Sequence, residues 1–260
     1  MTKHLSKNLR RDLDLLWMLT HKEIALQYKR TFLGIFWSLL NPLLLAAIFY
    51  IAFIIILKME KKDFPLFLLA ALFPWTWFSS SVGASTVSMI SNKSLIKKYP
   101  FPKHFLPTAV VFSQGVHFLF SLPIIALLVY SYGKTVHLIW FLGIPLLLII
   151  QFLMTVGVCF IVSVVNVYFM DFQFIVSFFL NLLFWVTPII YQLDTIPAPY
   201  RSISFYANPL TPLMSSWREL FLSNRINWIW MAMALFAALI TFLAGLLIFR
   251  RLNRRLDEII

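Results

Sequence analysis

Residues 137–166 read HLIWFLGIPLLLIIQFLMTVGVCFIVSVVN, a stretch that contains no Asp, Glu, Lys or Arg. As an α-helix it is about 45 Å long at ~1.5 Å per residue, which exceeds the ~30 Å of hydrocarbon in a bilayer. A helix also pairs its main-chain amides within the segment, as a bilayer requires. The stretch is therefore predicted to be a transmembrane helix that is tilted or projects from the membrane.

The composition of the whole chain agrees with this prediction. Of its 260 residues, 61% are hydrophobic and 12% are charged, whereas a soluble domain is about half apolar and about a quarter charged. The chain is therefore predicted to be an all-α polytopic membrane protein. Its net charge of +12 is better explained by anionic lipid headgroups and by membrane topology than by nucleic acid, so no nucleic-acid partner is expected.

The apolar residues fall into six runs that are long enough to cross a bilayer as helices. The predicted spans are 35–57, 64–90, 105–132, 137–166, 173–190 and 227–249. Prolines and charged residues interrupt the region 191–226, so short re-entrant or interfacial helices are expected there. We interpret residues 1–260 as a single transmembrane domain, made of an interface helix in 1–34, a six-span region in 35–249 and a cytoplasmic tail in 250–260.

The distribution of basic residues predicts the orientation. If the N-terminus is cytoplasmic, 15 of the 22 Lys and Arg residues lie in the N-terminal tail, in loop 91–104 and in the C-terminal tail. Cytoplasmic segments of membrane proteins carry this excess of positive charge. Both termini are therefore predicted to be cytoplasmic.

Residues 4–28 have the pattern of an amphipathic helix. Apolar side chains recur there mostly at three- and four-residue steps, namely Leu5, Leu9, Leu13, Leu16, Trp17, Ile24 and Tyr28. The basic residues fall largely on other faces, as in helices that lie in the membrane interface. The alternative, a disordered basic tail, does not explain the periodicity.

Loop 91–104 reads SNKSLIKKYPFPKH and carries four basic residues and no acidic one. It has room for one short helix. We expect that helix to end at Tyr99, because a proline disfavours helical conformation in the residue before it.

The sequence offers no convergent set of side chains for catalysis or for metal binding, so the chain is not expected to be an enzyme. Residues 133–135 match the Gly-Lys-Thr end of a phosphate-binding loop, but the required upstream glycine is replaced by Leu128. Cys159 is interpreted as a packing residue. His117, a histidine well inside a predicted span, is interpreted as hydrogen-bonded to a neighbouring helix. No carboxylate lies centrally in a span, which disfavours ion-coupled transport.

Aromatic residues make up 17% of the chain and are frequent in the first and fifth predicted spans. Many aromatic residues in membrane proteins face lipid or form interfacial belts. The other interpretation is that some line a pathway for sugars, whose apolar faces stack on aromatic rings. The candidates for such a pore are Trp37, Tyr50, Phe179, Trp185 and Tyr191.

Two spans carry small residues every four positions. Ala237, Thr241 and Gly245 form such a stripe in the last span, and Ser79 and Gly83 form one in the second. Stripes of this kind permit close contact between helices in a membrane.

Two segments carry a resemblance to a known family. Residues 28–42 read YKRTFLGIFWSLLNP, and residues 187–191, TPIIY, precede YANPLTP at 206–212. Together with the six-span layout, these segments resemble type-2 ABC export permeases, especially those for lipid-linked polysaccharides such as O-antigen, capsule and teichoic acid. Loop 168–172, YFMDF, departs from the family's Tyr-Arg-Asp signature because it lacks the arginine.

The resemblance implies a homodimer in the bacterial inner membrane, associated with two copies of a cytoplasmic ATPase. The ATPase would bind ATP and Mg, and this chain would hold no cofactor and no metal. The substrate would be a polysaccharide linked to polyprenyl diphosphate, surrounded by membrane lipids. The pore would be lined by spans one and five, with the region 191–226 as an external gate.

The resemblance also implies roles for individual residues. Those implied for the lipid-diphosphate headgroup are Lys29, Arg30, Leu33 and Gly34. Those implied for coupling to the ATPase are Lys93, Lys97, Lys98, Tyr99 and Phe101. For the lysines of loop 91–104, the positive charge of any cytoplasmic loop is an equally good explanation.

Other functions remain compatible with the sequence. A permease of the same fold could export a drug or a different lipid. A membrane enzyme acting on polyprenyl-linked sugars is disfavoured because its carboxylates, histidines or metal ligands are not found together. A structural scaffold would not explain the two recognisable segments.

Overall fold

The computed structural model describes residues 2–29, 31–58, 63–99 and 101–254. In these ranges the chain forms α-helices and no strand. The α-helices are α1 Thr2–Gln27, α2 Trp37–Tyr50, α3 Phe64–Ser91, α4 Lys93–Lys98, α5 Phe105–Ser131, α6 Ile139–Tyr168, α7 Phe172–Val186, α8 Ala198–Ala207, α9 Leu210–Ser223 and α10 Trp228–Asn253. A 3-10 turn, Gly34–Phe36, precedes α2, a π-helical segment, Ile51–Ile56, continues it, and a second 3-10 turn, Leu193–Thr195, precedes α8.

Five of the described helices are long and apolar enough to cross a membrane. They are Trp37–Ile56, Phe64–Ser91, Phe105–Ser131, Ile139–Tyr168 and Trp228–Asn253, and they match five of the six predicted spans closely. The remaining prediction, 173–190, corresponds to α7, which has 15 residues. The helix ends early because Thr187, which precedes Pro188, is extended (ψ 135°).

α3 is the central helix of the bundle. Most of its residues are buried, and it packs against α2, α5, α6, α7 and α9. By contrast, α2 and α7 bury few residues. Their side chains meet where the ring of Phe49 stacks on that of Phe184, with centroids 6.1 Å apart. α2 and α7 therefore lie side by side on one surface of α3.

The connecting segments are divided between two ends of the bundle. At the α4 end, Lys22 of α1 hydrogen-bonds to Asn92, which joins α3 to α4. Burial and the nearby positive charge of Arg250 lower the pKa of His104 at the same end. At the opposite end, the α8 end, Lys134 forms a 2.8 Å ion pair with Asp63. The structure thus groups the segments with cytoplasmic predictions together and those with external predictions together.

α6 and α10 form the closest helix crossing. A Cβ atom added to Gly245 would lie 2.1 Å from the carbonyl oxygen of Gly157, and one added to Gly157 would lie 2.5 Å from the carbonyl oxygen of Thr241. The predicted small-residue stripe of α10 is therefore at a helix contact. Gly83 of the second stripe is exposed and has no atom within 4 Å of such a Cβ position.

α9 packs inside the bundle. Eleven of its 14 residues are buried, and it contacts α3, α6 and α10. Trp217 donates its indole N–H to Oε1 of Gln151 on α6 at 2.6 Å, and Gln151 donates from Nε2 to the carbonyl of Pro74 on α3 at 2.7 Å. All the polar atoms of this buried relay are paired, as an apolar interior requires.

We predict that Gly245→Ala lowers the stability of the bundle, whereas Gly83→Ala does not. The added methyl at 245 separates two backbones, and overpacking of this kind costs about 1–3 kcal/mol. At 83 the methyl meets no atom, and alanine is the better helix former. Thermal unfolding in detergent measures both variants. Equal melting temperatures would contradict the close crossing of α6 and α10.

Candidate functional site

A cleft of about 190 Å³ lies between the end of α1 and helices α2, α3 and α5. We call it the α1–α5 cleft. Its polar and aromatic lining residues include Gln27, Tyr28, Trp37, Ser38, Asn41, Thr76, Gln114 and His117. His117 is twelve residues into α5, about 18 Å from its start at ~1.5 Å per residue. The C-terminal end of α1 therefore reaches the middle of the bundle.

His117 connects α5 to the end of α1. Its Nε2 atom is 3.2 Å from the hydroxyl of Tyr28 and 3.3 Å from Oε1 of Gln27. Gln114 donates from Nε2 to the same Gln27 oxygen at 3.2 Å. This agrees with the interpretation of His117 as a histidine bonded to a neighbouring helix. The sequence did not reveal that the neighbour is α1.

The predicted headgroup residues lie in the turn that joins α1 to α2. Gly34 has φ +53°, a left-handed conformation that residues with a Cβ adopt at a cost. Lys29 is exposed on the turn, close in sequence to Phe32, whose side chain is fully exposed. Leu33 is half-buried. Arg30, the second predicted cation, lies outside the described residues.

The predicted coupling residues lie on and next to α4. Lys93, Lys97, Lys98 and Tyr99 are exposed, while Phe101 is partly buried against the core. The helix ends at Tyr99, which is extended (φ −130°, ψ 127°), as predicted from the proline that follows. A groove lined by residues of α1, α3 and α4, among them Lys22, Asn92 and Tyr99, opens beside the helix.

The five predicted pore aromatics occupy different places within one copy of the chain. Trp37 lines the α1–α5 cleft, and Phe179 lines a separate groove that also includes residues of α3, α6 and α10. Trp185 is exposed, and Tyr50 lies at the α8 end of the first span. Tyr191 folds back on α7 and donates its hydroxyl hydrogen to the carbonyls of Trp185 and Val186, at 3.0 and 2.9 Å.

The profile of the family described as ABC-2 type transporter matches residues 14–222 of this chain. The chain belongs to this family. It is similar to an O-antigen export system permease protein, RfbA, of Klebsiella pneumoniae, with 39% identity over 247 residues that cover 95% of each chain. An RfbA protein of Myxococcus xanthus is 35% identical over 82% of each chain. The polysialic acid transport protein KpsM of Escherichia coli is 26% identical over 88% of this chain and 90% of its own length.

Membership identifies the chain as a transmembrane ABC-2 permease and implies a nucleotide-binding ATPase as partner. In this permease loop 168–172, which departs from the family signature, makes a structural contact. Tyr168 donates its hydroxyl hydrogen to the carbonyl of Leu252 at the end of α10, at 2.8 Å. The tyrosine therefore ties α6 to α10, and this contact does not involve the missing arginine.

Arg218 of α9 binds the segment of the permease that directly follows α7. Its guanidinium donates to the carbonyls of Pro188, Ile189 and Tyr191 at 2.8, 2.6 and 3.2 Å, and it lies 3.8 Å from the centroid of the Phe67 ring. From the sequence, Arg218 is only one of the charged residues that interrupt the region 191–226. The available signal was a pair of charges, Arg218 and Glu219, within a largely apolar stretch.

A second contact fixes the same segment at the end of α7. Asn208 donates from Nδ2 to the hydroxyl oxygen of Thr187 at 2.8 Å, and its Oδ1 accepts from the main-chain N–H of Leu210 at 3.1 Å. The asparagine thereby joins the end of α7 to the start of α9. This explains physically why both recognisable segments, TPIIY and YANPLTP, belong to one structural unit.

We predict that Arg218→Met destabilises the permease by about 3 kcal/mol or more, because it leaves buried carbonyls without donors. The matched control is Arg201→Met. Arg201 is exposed, and its ion pair with Asp194 is of the kind that contributes only about 0–1 kcal/mol. Thermal unfolding in detergent compares the two variants, and similar melting temperatures would show that Arg218 does not hold the turn.

Proposed function

We propose that this permease exports a polysaccharide of the O-antigen type, linked to polyprenyl diphosphate, across the bacterial inner membrane. The observation that carries the proposal is the 39% identity to an O-antigen export permease over 95% of both chains. The chain is proposed to act as a transport subunit, with the hydrolysis of ATP performed by a separate ATPase. Export of a capsular polymer is the second candidate, favoured by the similarity to a polysialic acid transport protein.

The pore is proposed to form between two copies of the chain. α2 and α7 lie side by side and bury few of their residues within one copy. Because the predicted pore aromatics do not share one cavity in a single copy, a common pathway requires a second copy. Pairing of the α2 and α7 surfaces across a two-fold axis would give an enclosed path with aromatic side chains on its wall.

α7 is proposed to be the remaining membrane span, the fifth in chain order, which brings the total to six. Its 15 residues extend about 22 Å at ~1.5 Å per residue, which is less than the hydrocarbon thickness. The rest of the crossing is made by residues 187–191. Non-helical backbone is tolerated at such depth when it is buried in protein, and Arg218 pairs three of its carbonyls.

The α4 end is proposed to face the cytoplasm, together with both termini. α4 presents Lys93, Lys97, Lys98 and Tyr99 for contact with the ATPase. α1 links this surface to the substrate site, because Lys22 contacts Asn92 beside α4 and Tyr28 contacts His117 in the α1–α5 cleft. Movement of α4 caused by ATP binding is thereby transmitted along α1 to the cleft.

The turn after α1 is proposed to bind the lipid diphosphate. Lys29 and Arg30 would complement its charge, and Lys29 directly follows Tyr28, a lining residue of the α1–α5 cleft. The exposed side chains of Phe32 and Phe36 offer apolar surface to the polyprenyl chain. A cation next to exposed aromatic side chains suits a ligand with a charged head and a long apolar tail.

We expect the permease, reconstituted with its ATPase in liposomes, to hydrolyse ATP faster when a polyprenyl-diphosphate-linked polysaccharide is present. Polysaccharide released from its lipid should not stimulate hydrolysis, because the headgroup contacts are then missing. Hydrolysis is measured as phosphate release, with an ATPase variant lacking its phosphate-loop lysine as the blank. Stimulation by an unrelated amphiphile but by no lipid-linked glycan would reject the proposed substrate.

Replacement of both Lys29 and Arg30 by Ala is expected to lower export while the complex still assembles. Each charge-assisted hydrogen bond contributes about 1.5–3 kcal/mol, so apparent substrate affinity should fall at least ~10-fold. The control is the double replacement of Arg10 and Arg11 by Ala, which removes the same charge from exposed positions on α1. Wild-type export by an assembled Lys29/Arg30 variant would rule out the headgroup site.

A further inference from the structure

A second and larger cavity lies at the α8 end. It has a volume of about 610 Å³, within the ~300–1,000 Å³ typical of small-molecule sites. We call it the exit cleft. Its described lining residues come from the segment after α7, from α8 and α9 and from the start of α10, and they include Gln192, Asp194, Arg201, Phe205, Tyr206, Ser215, Arg218, Glu219 and Trp230.

The charges of the exit cleft are balanced. Two arginines and two carboxylates line it, and Arg201 is already engaged by Asp194, through an NH1–Oδ1 distance of 3.4 Å and a 2.8 Å bond to the Asp194 carbonyl. A site for phosphate or another anion would carry an excess of positive charge. The lining therefore favours an uncharged polar ligand.

Two buried atoms of the cleft residues have no hydrogen-bond partner among the described residues. They are Nε of Arg218, a donor, and Oε2 of Glu219, an acceptor. Glu219 lies near Asn227, the residue that caps the start of α10. A donor and an acceptor on neighbouring residues match the hydroxyl groups of a sugar, each of which can both donate and accept.

Aromatic rings complete the lining. Tyr206 is exposed, and Phe205 packs on Trp230 with ring centroids 5.8 Å apart. The cleft begins one residue after Tyr191, whose carbonyl bonds to Arg218. It therefore lies next to the segment that follows α7.

We propose that the exit cleft is a binding subsite for uncharged sugar units of the exported polysaccharide, where they leave the pore. This inference rests on the proposed function and adds a glycan contact that is separate from the headgroup site. Tyr206 stacks on a sugar face, and Glu219 accepts a hydrogen bond from a sugar hydroxyl. The subsite holds emerging polymer at the α8 end.

The test measures binding of polysaccharide that has been released from its lipid and purified from the source strain. The permease is kept in nanodiscs with its ATPase and without ATP, so that ATP hydrolysis does not contribute. Headgroup recognition does not contribute because the polysaccharide lacks its lipid. Tyr206→Ala is expected to weaken binding about 5-fold, in line with the loss of one aromatic contact, and Glu219→Gln should also weaken it. The control is Tyr200→Ala. Tyr200 is also an exposed tyrosine of α8, but it does not line the cleft, so this variant should bind the polysaccharide as the wild type does.

The possible outcomes separate the two proposals. Unchanged binding by both Tyr206→Ala and Glu219→Gln would overturn the subsite, and so would equal losses in the Tyr200→Ala control. Tight binding of inorganic polyphosphate that is lost in Tyr206→Ala would overturn the preference for an uncharged ligand. The wild-type complex is tested in parallel for stimulation by lipid-linked glycan. If lipid-linked glycan stimulates ATP hydrolysis normally and the cleft variants bind released polysaccharide as the wild type does, the subsite is rejected and the proposed function is not.

Discussion

The α8 end of the bundle depends on the hydrogen bonds that the guanidinium of Arg218 donates to main-chain carbonyls. A chain that leaves helix α7 before it has crossed the apolar layer exposes carbonyls that hydrocarbon cannot pair. Arg218 donates to three of these carbonyls, and its charge lies against the ring of Phe67 on the central helix. Because Arg218 belongs to α9, the same contact requires α9 to pack inside the bundle. The Gln151–Trp217 relay then fixes α9 to α6 and α3.

The two ends of the bundle differ in how tightly they are held. The α8 end is fixed by buried contacts of Arg218 and Asn208. At the α4 end, α1 is held by Lys22 and by the hydrogen bonds of Gln27 and Tyr28 to α5. Partly exposed contacts of this kind contribute less to stability than fully buried ones. Local opening is therefore expected at α1 rather than at α9.

Periodicity and charge were sufficient to predict the long helices, because hydrophobic length is imposed by the bilayer. Loop 91–104 was also predicted in detail, since the effect of Pro100 on Tyr99 is local. The stripe Ala237, Thr241 and Gly245 predicted a close contact, but its partner Gly157 depends on tertiary packing. The burial of α9 was not predicted, because a segment containing Arg218 and Glu219 has the pattern of an interfacial helix until the carbonyls of residues 188–191 are known. The site was predicted less completely. The turn at Leu33-Gly34 was recognised, whereas the pairing of His117 with Tyr28 required the path of α1.

Two buried amide side chains hold helices of the described bundle together. Gln151 and Asn208 carry neutral amides and are fully paired, so they hold helices together without taking up or releasing ions. A transport cycle nevertheless needs two arrangements that a ligand distinguishes energetically. In this permease the segment proposed to distinguish them is α1, which contacts Asn92 beside α4 through Lys22 and His117 in the α1–α5 cleft through Tyr28. A partner that binds α4 in only one of its own nucleotide states would therefore act on the cleft through α1, while Arg218 keeps the α8 end closed around α9.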